Sequence, residues 1–139
     1  MSDLDAYTPI GDYALIGDCH SAALISRQGS IEWCCLPRFD SGSAFGRLLD
    51  RHGGGHCSVA PADDGPWEYV RTYLEDTLVL ETTLLGPGGE ARLLDCFTVR
   101  GSPAVTLALV TDDSRWQTIL LGQLFHPIRQ RTLFVSLLT

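Results

Sequence analysis

Between Ile10 and Asp50 the chain alternates short apolar runs with polar breaks. Tyr13 to Gly17, Ala22 to Ser26 and Ile31 to Leu36 each have the length and composition of a strand. Gln28-Gly29 separates the second run from the third, and glycine there supplies the positive φ of a tight hairpin turn, so these two runs pair antiparallel. Pro37 has no amide hydrogen and closes that ladder. Behind Ser43, the residues Phe45, Leu48 and Leu49 fall at i, i+3 and i+4, which predicts a short helix over 43–50. The glycines at 53, 54 and 55 end it. His56 to Ala60 reads as a further strand, stopped by Pro61. Trp67 to Leu74 alternates without a uniformly apolar face, as an edge strand does. The clearest hairpin is Thr77 to Leu85 returning as Glu90 to Val99 around Gly86-Pro87-Gly88-Gly89, with Leu78, Leu80, Thr82 and Leu84 on one face. Ala104 to Val110 adds another strand. This many short strands with a single small helix predicts an all-β fold, an antiparallel β-sandwich with one short helix.

Composition sharpens this picture in three places. At 139 residues the chain is one domain in size, and 14 glycines with 7 prolines fit a fold rich in turns. The net charge of −7 argues against nucleic acid or an anionic membrane surface as partner. All 17 acidic residues lie at or before Asp113, while 114–139 carries only Arg115, Arg129 and Arg131. The expected organisation is a flexible arm over 1–8, a sandwich over 9–111 and a divergent tail over 112–139. Two readings of the tail stand side by side: a true last pair of strands, or a stretch translated out of frame. The 5 cysteines are odd in number and follow no framework spacing, and the acidic N-terminus lacks a signal pattern, so a cytoplasmic protein with reduced thiols is expected. No apolar run reaches the length of a membrane span.

Candidate chemistry is sparse. Inverting glycosidases need two carboxyl groups about 6.5–9.5 Å apart, one as acid and one activating water. Acids are plentiful here, yet none stands in a motif that marks such a pair, and no catalytic residue is assigned. The best candidate is the loop carrying Arg38, Phe39 and Asp40: a guanidinium fork for carboxylate or hydroxyl groups, a ring to stack on a sugar, and a hydroxyl acceptor. The same three residues suit a folded corner in which Arg38 pairs with Asp40 and Phe39 packs inward. His52, His56 and Cys57 include ligand types, but no paired C-x2-C accompanies them, so no metal and no cofactor is expected. Trp33, Trp67, Tyr69 and Tyr73 suit either a stacking platform or the sandwich interior.

The segments IGDYALIGD, SRQGSIEW and CLPRFDSGSAFGRLLD, with GGGHCSVAP and RTYLEDTLVLETTLLGPGGEARLLDCF further on, resemble the N-terminal domain of bacterial glycoside hydrolase family 15 proteins, the glucoamylase- and trehalase-like enzymes. The resemblance spans Pro9 to Val99. It implies a β-sandwich accessory domain, with the catalytic carboxylates in a helical (α/α)6 barrel that 139 residues cannot include. The partner it implies is that missing barrel domain and, through it, an α-glucoside, with the loop at 38–40 facing substrate or barrel. On this basis the isolated chain is expected to be inactive. The alternative is a stand-alone carbohydrate-binding or protein-interaction module.

Overall fold

The first three apolar runs form β1 (Ala14–Gly17), β2 (Ala22–Ile25) and β3 (Ser30–Cys35), as the pattern predicts. The computed structural model describes residues 7–61, 65–87 and 89–97 in full, and the strands at 105–111, 116–120 and 133–137 as backbone. β1 pairs antiparallel with β2, and β2 with β3. Gly29 takes φ +76° at the β2–β3 turn, where Ser26 N–H donates to Ser30 O, Gly29 N–H to Ser26 O and Ser30 N–H to the Ser26 hydroxyl. A Cβ at Gly29 would meet the Leu93 side chain at 3.2 Å, so the turn needs glycine both for its backbone and for space.

The other edge of β3 is shared. β5 (Cys57–Pro61) takes its first half and β4 (Ser43–Phe45) its second half. The helix expected over 43–50 is therefore corrected: Ser43–Phe45 is a strand, and the residues after it form a tight loop. Phe45 is buried and pairs with Cys34, while Leu49 is 77% exposed, so the apparent helical face never shares one environment. The loop is closed by Gly46 N–H donating to Gly54 O at 2.7 Å and Gly54 N–H donating to Asp50 O at 2.8 Å. A Cβ on Gly54 would lie 2.3 Å from the Gly46 backbone, so only glycine allows this approach. Asp50 accepts the amides of His52 and Gly53, and these bonds hold its carboxyl below the usual range. Among the described residues the one helical element is a 3-10 turn at Ile10–Asp12, while 46–50 makes a single turn with the Leu49 and Asp50 amides both on Gly46 O.

The second sheet contains β6 (Glu68–Tyr73), β7 (Leu80–Gly86), β8 (Gly89–Phe97), β9 (Val105–Thr111) and β10 (Trp116–Leu120), in the order β10-β9-β8-β7-β6, all antiparallel. β6 sits on the edge with Tyr69 and Arg71 half-buried and Glu68, Val70 and Thr72 exposed, as its alternation predicts. In β7 Leu80, Thr82 and Leu84 face inward, but Leu78 precedes the strand and is exposed. β11 (Leu133–Leu137) completes the first sheet by pairing parallel with β5, the one parallel pair among the described strands. The two tail strands thus join different sheets rather than each other.

One core lies between the sheets. Ile16, Ala23, Ile25, Ile31, Cys34, Phe45 and Val59 meet Leu80, Leu84, Leu93 and Phe97. Trp67 covers one end of it, with its indole ring lying where a Cβ on Gly86 would fall, 2.3 Å away. Two side chains cross from the second sheet to the first. The Arg71 guanidinium donates to Ile25 O at 3.2 Å, and the Tyr73 hydroxyl binds both Leu15 O (2.8 Å) and Leu15 N–H (3.0 Å) on the outer edge of β1.

Candidate functional site

The loop after β3 is built by three local bonds. Phe39 N–H donates to His20 O at 2.9 Å, Arg38 N–H donates to the Ser41 hydroxyl at 3.2 Å, and Ser41 N–H returns to Arg38 O at 3.1 Å. His20 is itself placed by Asp18, which accepts the amides of His20 and Ser21 at 2.9 Å each. Ser21 is anchored through its hydroxyl to Cys35 O at the end of β3. Cys19, His20, Arg38, Phe39 and Asp40 line an open cleft of about 440 Å³. Arg38 and Asp40 form a fork, with Nε to Oδ1 at 3.0 Å and Nη2 to Oδ2 at 3.3 Å. Both side chains are largely exposed, so this pair stabilises the fold by no more than about 1 kcal/mol and a ligand can recruit either partner. Phe39 is 55% exposed and does not pack inward.

A second cleft was not visible in the sequence. The β2–β3 ladder slips between Leu24 and Ile25, where Leu24 pairs with Trp33 but Ile25 pairs with Ile31. Glu32 is the extra residue. Such a bulge re-aims a side chain out of the alternation, and here it lets Ile31 and Cys34 both reach the core while Glu32 serves a polar site. The displaced Glu32 carbonyl is taken by the Leu48 amide at 3.1 Å, which ties the bulge to the 46–54 loop. The Glu32 carboxylate is 8% exposed and accepts a 2.5 Å hydrogen bond from the Tyr13 hydroxyl. Burial and that bond push the Tyr13 phenol up to about 12, so it remains a donor at any physiological pH. Glu32, Arg47, Arg51, His56, Ser26, Ser30, Ser58 and Tyr69 line a cleft of about 480 Å³. Burial and the neighbouring Arg47 lower the His56 pKa, against the opposing pull of Glu32, which favours the neutral imidazole. A lone acid between Ile31 and Trp33, in a strand otherwise apolar, was the signal that could have revealed this site.

The remaining candidates separate. Trp67 and Tyr69 pack against the core, Tyr73 holds the β1 edge, and Trp33 is half-buried elsewhere on β3, so these four form no common stacking platform. Among the described residues there is no group of three or more His, Cys, Asp or Glu placed to hold a metal ion. Cys34 and Cys57 are buried thiols pushed up to about 12, chiefly by burial, and behave as small apolar side chains. Among the described residues no helix is long and apolar enough to cross a membrane.

The fold is a two-sheet β-sandwich that carries two open clefts, one at the loop after β3 and one at the β3 bulge. The chain belongs to the family of trehalase-like N-terminal domains, which it matches over residues 4–86. It is 47% identical over 77 residues to a trehalase of Mycolicibacterium smegmatis and 44% identical over 77 residues to a trehalase of Mycobacterium tuberculosis. Each alignment covers 55% of this chain and 11% of the relative. A "Trehalase 1" of Sulfolobus acidocaldarius is 36% identical over 104 residues, 75% of this chain and 17% of that protein. The chain therefore corresponds to a small fraction of these relatives' length. No solved structure matches it.

Proposed function

We propose that this chain is the N-terminal accessory domain of a trehalase-like glycoside hydrolase of family 15, and that the intact enzyme hydrolyses α-glucosidic bonds with carboxylates supplied by a helical barrel domain. The observation that carries this reading is the match of residues 4–86, which span β1 to β7 and both clefts, to the trehalase-like N-terminal family, beside 44–47% identity over 77 residues to proteins named as trehalases. The engagement of several of the acids supports it. Asp12 pairs with Arg27, Asp40 with Arg38, Asp18 and Asp50 accept loop amides, and Glu32 is held by Tyr13. In this reading the domain positions a partner rather than performing leaving-group protonation or water activation. Exposed Leu15, Tyr73, Leu74 and Leu78 around the β6–β7 turn offer apolar surface for a barrel to cover. The loop at Arg38, Phe39 and Asp40 is the proposed docking or substrate-facing edge. The five cysteines are free thiols, which supports a reducing, cytoplasmic setting.

The isolated chain is expected to release no glucose from trehalose, maltose or maltooligosaccharides. Turnover above buffer that disappears when one of its own acids is replaced would overturn the reading. Supplying a family barrel domain in trans is expected to give a stable complex that Arg38→Ala and Phe39→Ala each weaken. Unchanged binding by both variants would show that the loop is only a folded corner.

A further inference from the structure

The cleft at the β3 bulge is not used by the accessory role just described, and its chemistry is specific. Its walls mix donors and acceptors instead of presenting one charge. Arg47 and Arg51 bring two guanidinium groups, Glu32 a buried carboxylate, and Ser26, Ser30 and Ser58 hydroxyls that both donate and accept. Tyr69 contributes a half-buried ring to the same lining. The Ser30 hydroxyl is buried and has no hydrogen-bond partner among the described residues, which leaves one polar group of the lining unsatisfied. Two rigid elements hold this arrangement: the Ser26–Ser30 turn and the loop tied to the Glu32 carbonyl by Leu48.

Three ligand classes can be weighed against that set. A divalent cation would meet one carboxylate and two guanidinium groups, which is the wrong charge balance for oxygen coordination. A phosphate-like anion would gain from Arg47 and Arg51 but would sit against the Glu32 carboxyl oxygens, which the Tyr13 hydroxyl holds in place. A neutral ring bearing adjacent hydroxyls satisfies all the groups at once. Glu32 accepts its hydroxyl hydrogens, the arginines donate to its oxygens, and the serines take either role. A cleft of about 480 Å³ is in the range that holds such a molecule.

We infer that the cleft formed by Glu32, Arg47, Ser30, Ser58 and Tyr69 is a binding site for a neutral polyhydroxylated ring of one to two sugar units, distinct from the loop at 38–40. The site does not depend on the chain's place in a hydrolase, and it binds without cleaving. Neutral His56 fits this chemistry because it adds a donor or acceptor without adding charge.

The test is a titration of the full 139-residue chain, followed by amide chemical shifts, with glucose, trehalose and inorganic phosphate as separate probes. The expected result is a saturable shift confined to residues 26–32 and 56–60 with at least one of the two sugars, and none with phosphate. Arg47→Met and Ser58→Val, neither of which removes a core side chain, should each leave the spectrum folded. Arg47→Met should weaken sugar binding by about tenfold or more, as loss of a charge-assisted hydrogen bond does. Absence of any saturable sugar shift, shifts confined to 38–40, binding unaffected by both variants, or tighter binding of phosphate than of sugar would each overturn the inference. Hydrolysis plays no part in the readout, so failure here is separable from failure of the accessory-domain reading.

Discussion

Replacing Asp95 by Asn should change how stability depends on pH. Asp95 faces inward from β8, is fully buried, and neither of its carboxyl oxygens has a hydrogen-bond partner among the described residues. Leu93 and Phe97 flank it on its own strand face, and Leu80 pairs with it across the ladder. Burial pushes its pKa from 3.8 to about 8. The folded chain therefore keeps this proton between about pH 4 and 8, whereas the unfolded chain has already lost it. Stability from this group is fully present below about pH 4, declines as pH rises through that window, and is flat above about 8. A shift of about four units at about 1.4 kcal/mol each sets a ceiling near 6 kcal/mol, of which about 4 kcal/mol would already be lost at pH 7. Against a usual total of about 5–15 kcal/mol that is a large fraction. Asn has nearly the same shape and no titration, so Asp95→Asn should remove the slope. It still buries an amide without a partner, so near pH 4 the variant should equal the parent or fall about 1–3 kcal/mol below it. Urea midpoints for both proteins at half-unit steps from pH 4.5 to 8 provide the assay. Groups common to both, such as His56, cancel in the difference. The difference should grow in favour of Asn by about 1.4 kcal/mol per unit through the middle of the window. Parallel curves would refute the argument and show that the carboxyl is solvated or paired.

Tyr13→Phe removes the donor to the buried Glu32 carboxylate and should cost about 1–3 kcal/mol in urea unfolding at pH 7; a loss under about 0.5 kcal/mol would mean that the bond contributes little. Gly86→Ala places a methyl group within 2.3 Å of the Trp67 ring, so it should displace the indole, shift tryptophan emission to longer wavelength and cost about 1–3 kcal/mol; unchanged emission would contradict the packing described. In the folded chain at pH 7.5 iodoacetamide should label exposed Cys19 well before Cys34 and Cys57, whose pKa values are near 12; mass spectrometry showing equal rates would argue against their burial.

The parts of the fold that could be read from sequence are those where the side-chain period and the turn chemistry agree. β2 and β3 carry apolar runs on either side of Gly29, and β7 and β8 flank a glycine-rich turn, so alternation and turn residue point to the same pairing. The helix expected at 43–50 failed because a three-residue apolar spacing cannot be told from a strand residue followed by a loop. Phe45 is held by its pairing to Cys34, and the single turn that coils after it, with the Leu49 and Asp50 amides both on Gly46 O, is not continued into a helix. The loop at 38–40 was visible as a cation, a ring and an anion behind a proline. The Glu32 cleft was hidden because it depends on a register slip, and a bulge changes which face a residue serves without altering local composition. Asp95 read as one acid among many, since only the packing of two sheets against each other takes it out of water.

Tyr73 has a consequence for how the domain meets other chains. β1 is an outermost strand, and the unpaired amides and carbonyls of such a strand are a template on which a passing extended segment can lengthen the sheet. At Leu15 both of those groups are already taken by one phenol from the opposite sheet. A four-residue strand with the outward groups of Leu15 occupied offers little on which to start a new ladder. The hydroxyl thus acts as a stopper against runaway strand addition, at the rim where exposed apolar residues would otherwise draw a second copy in.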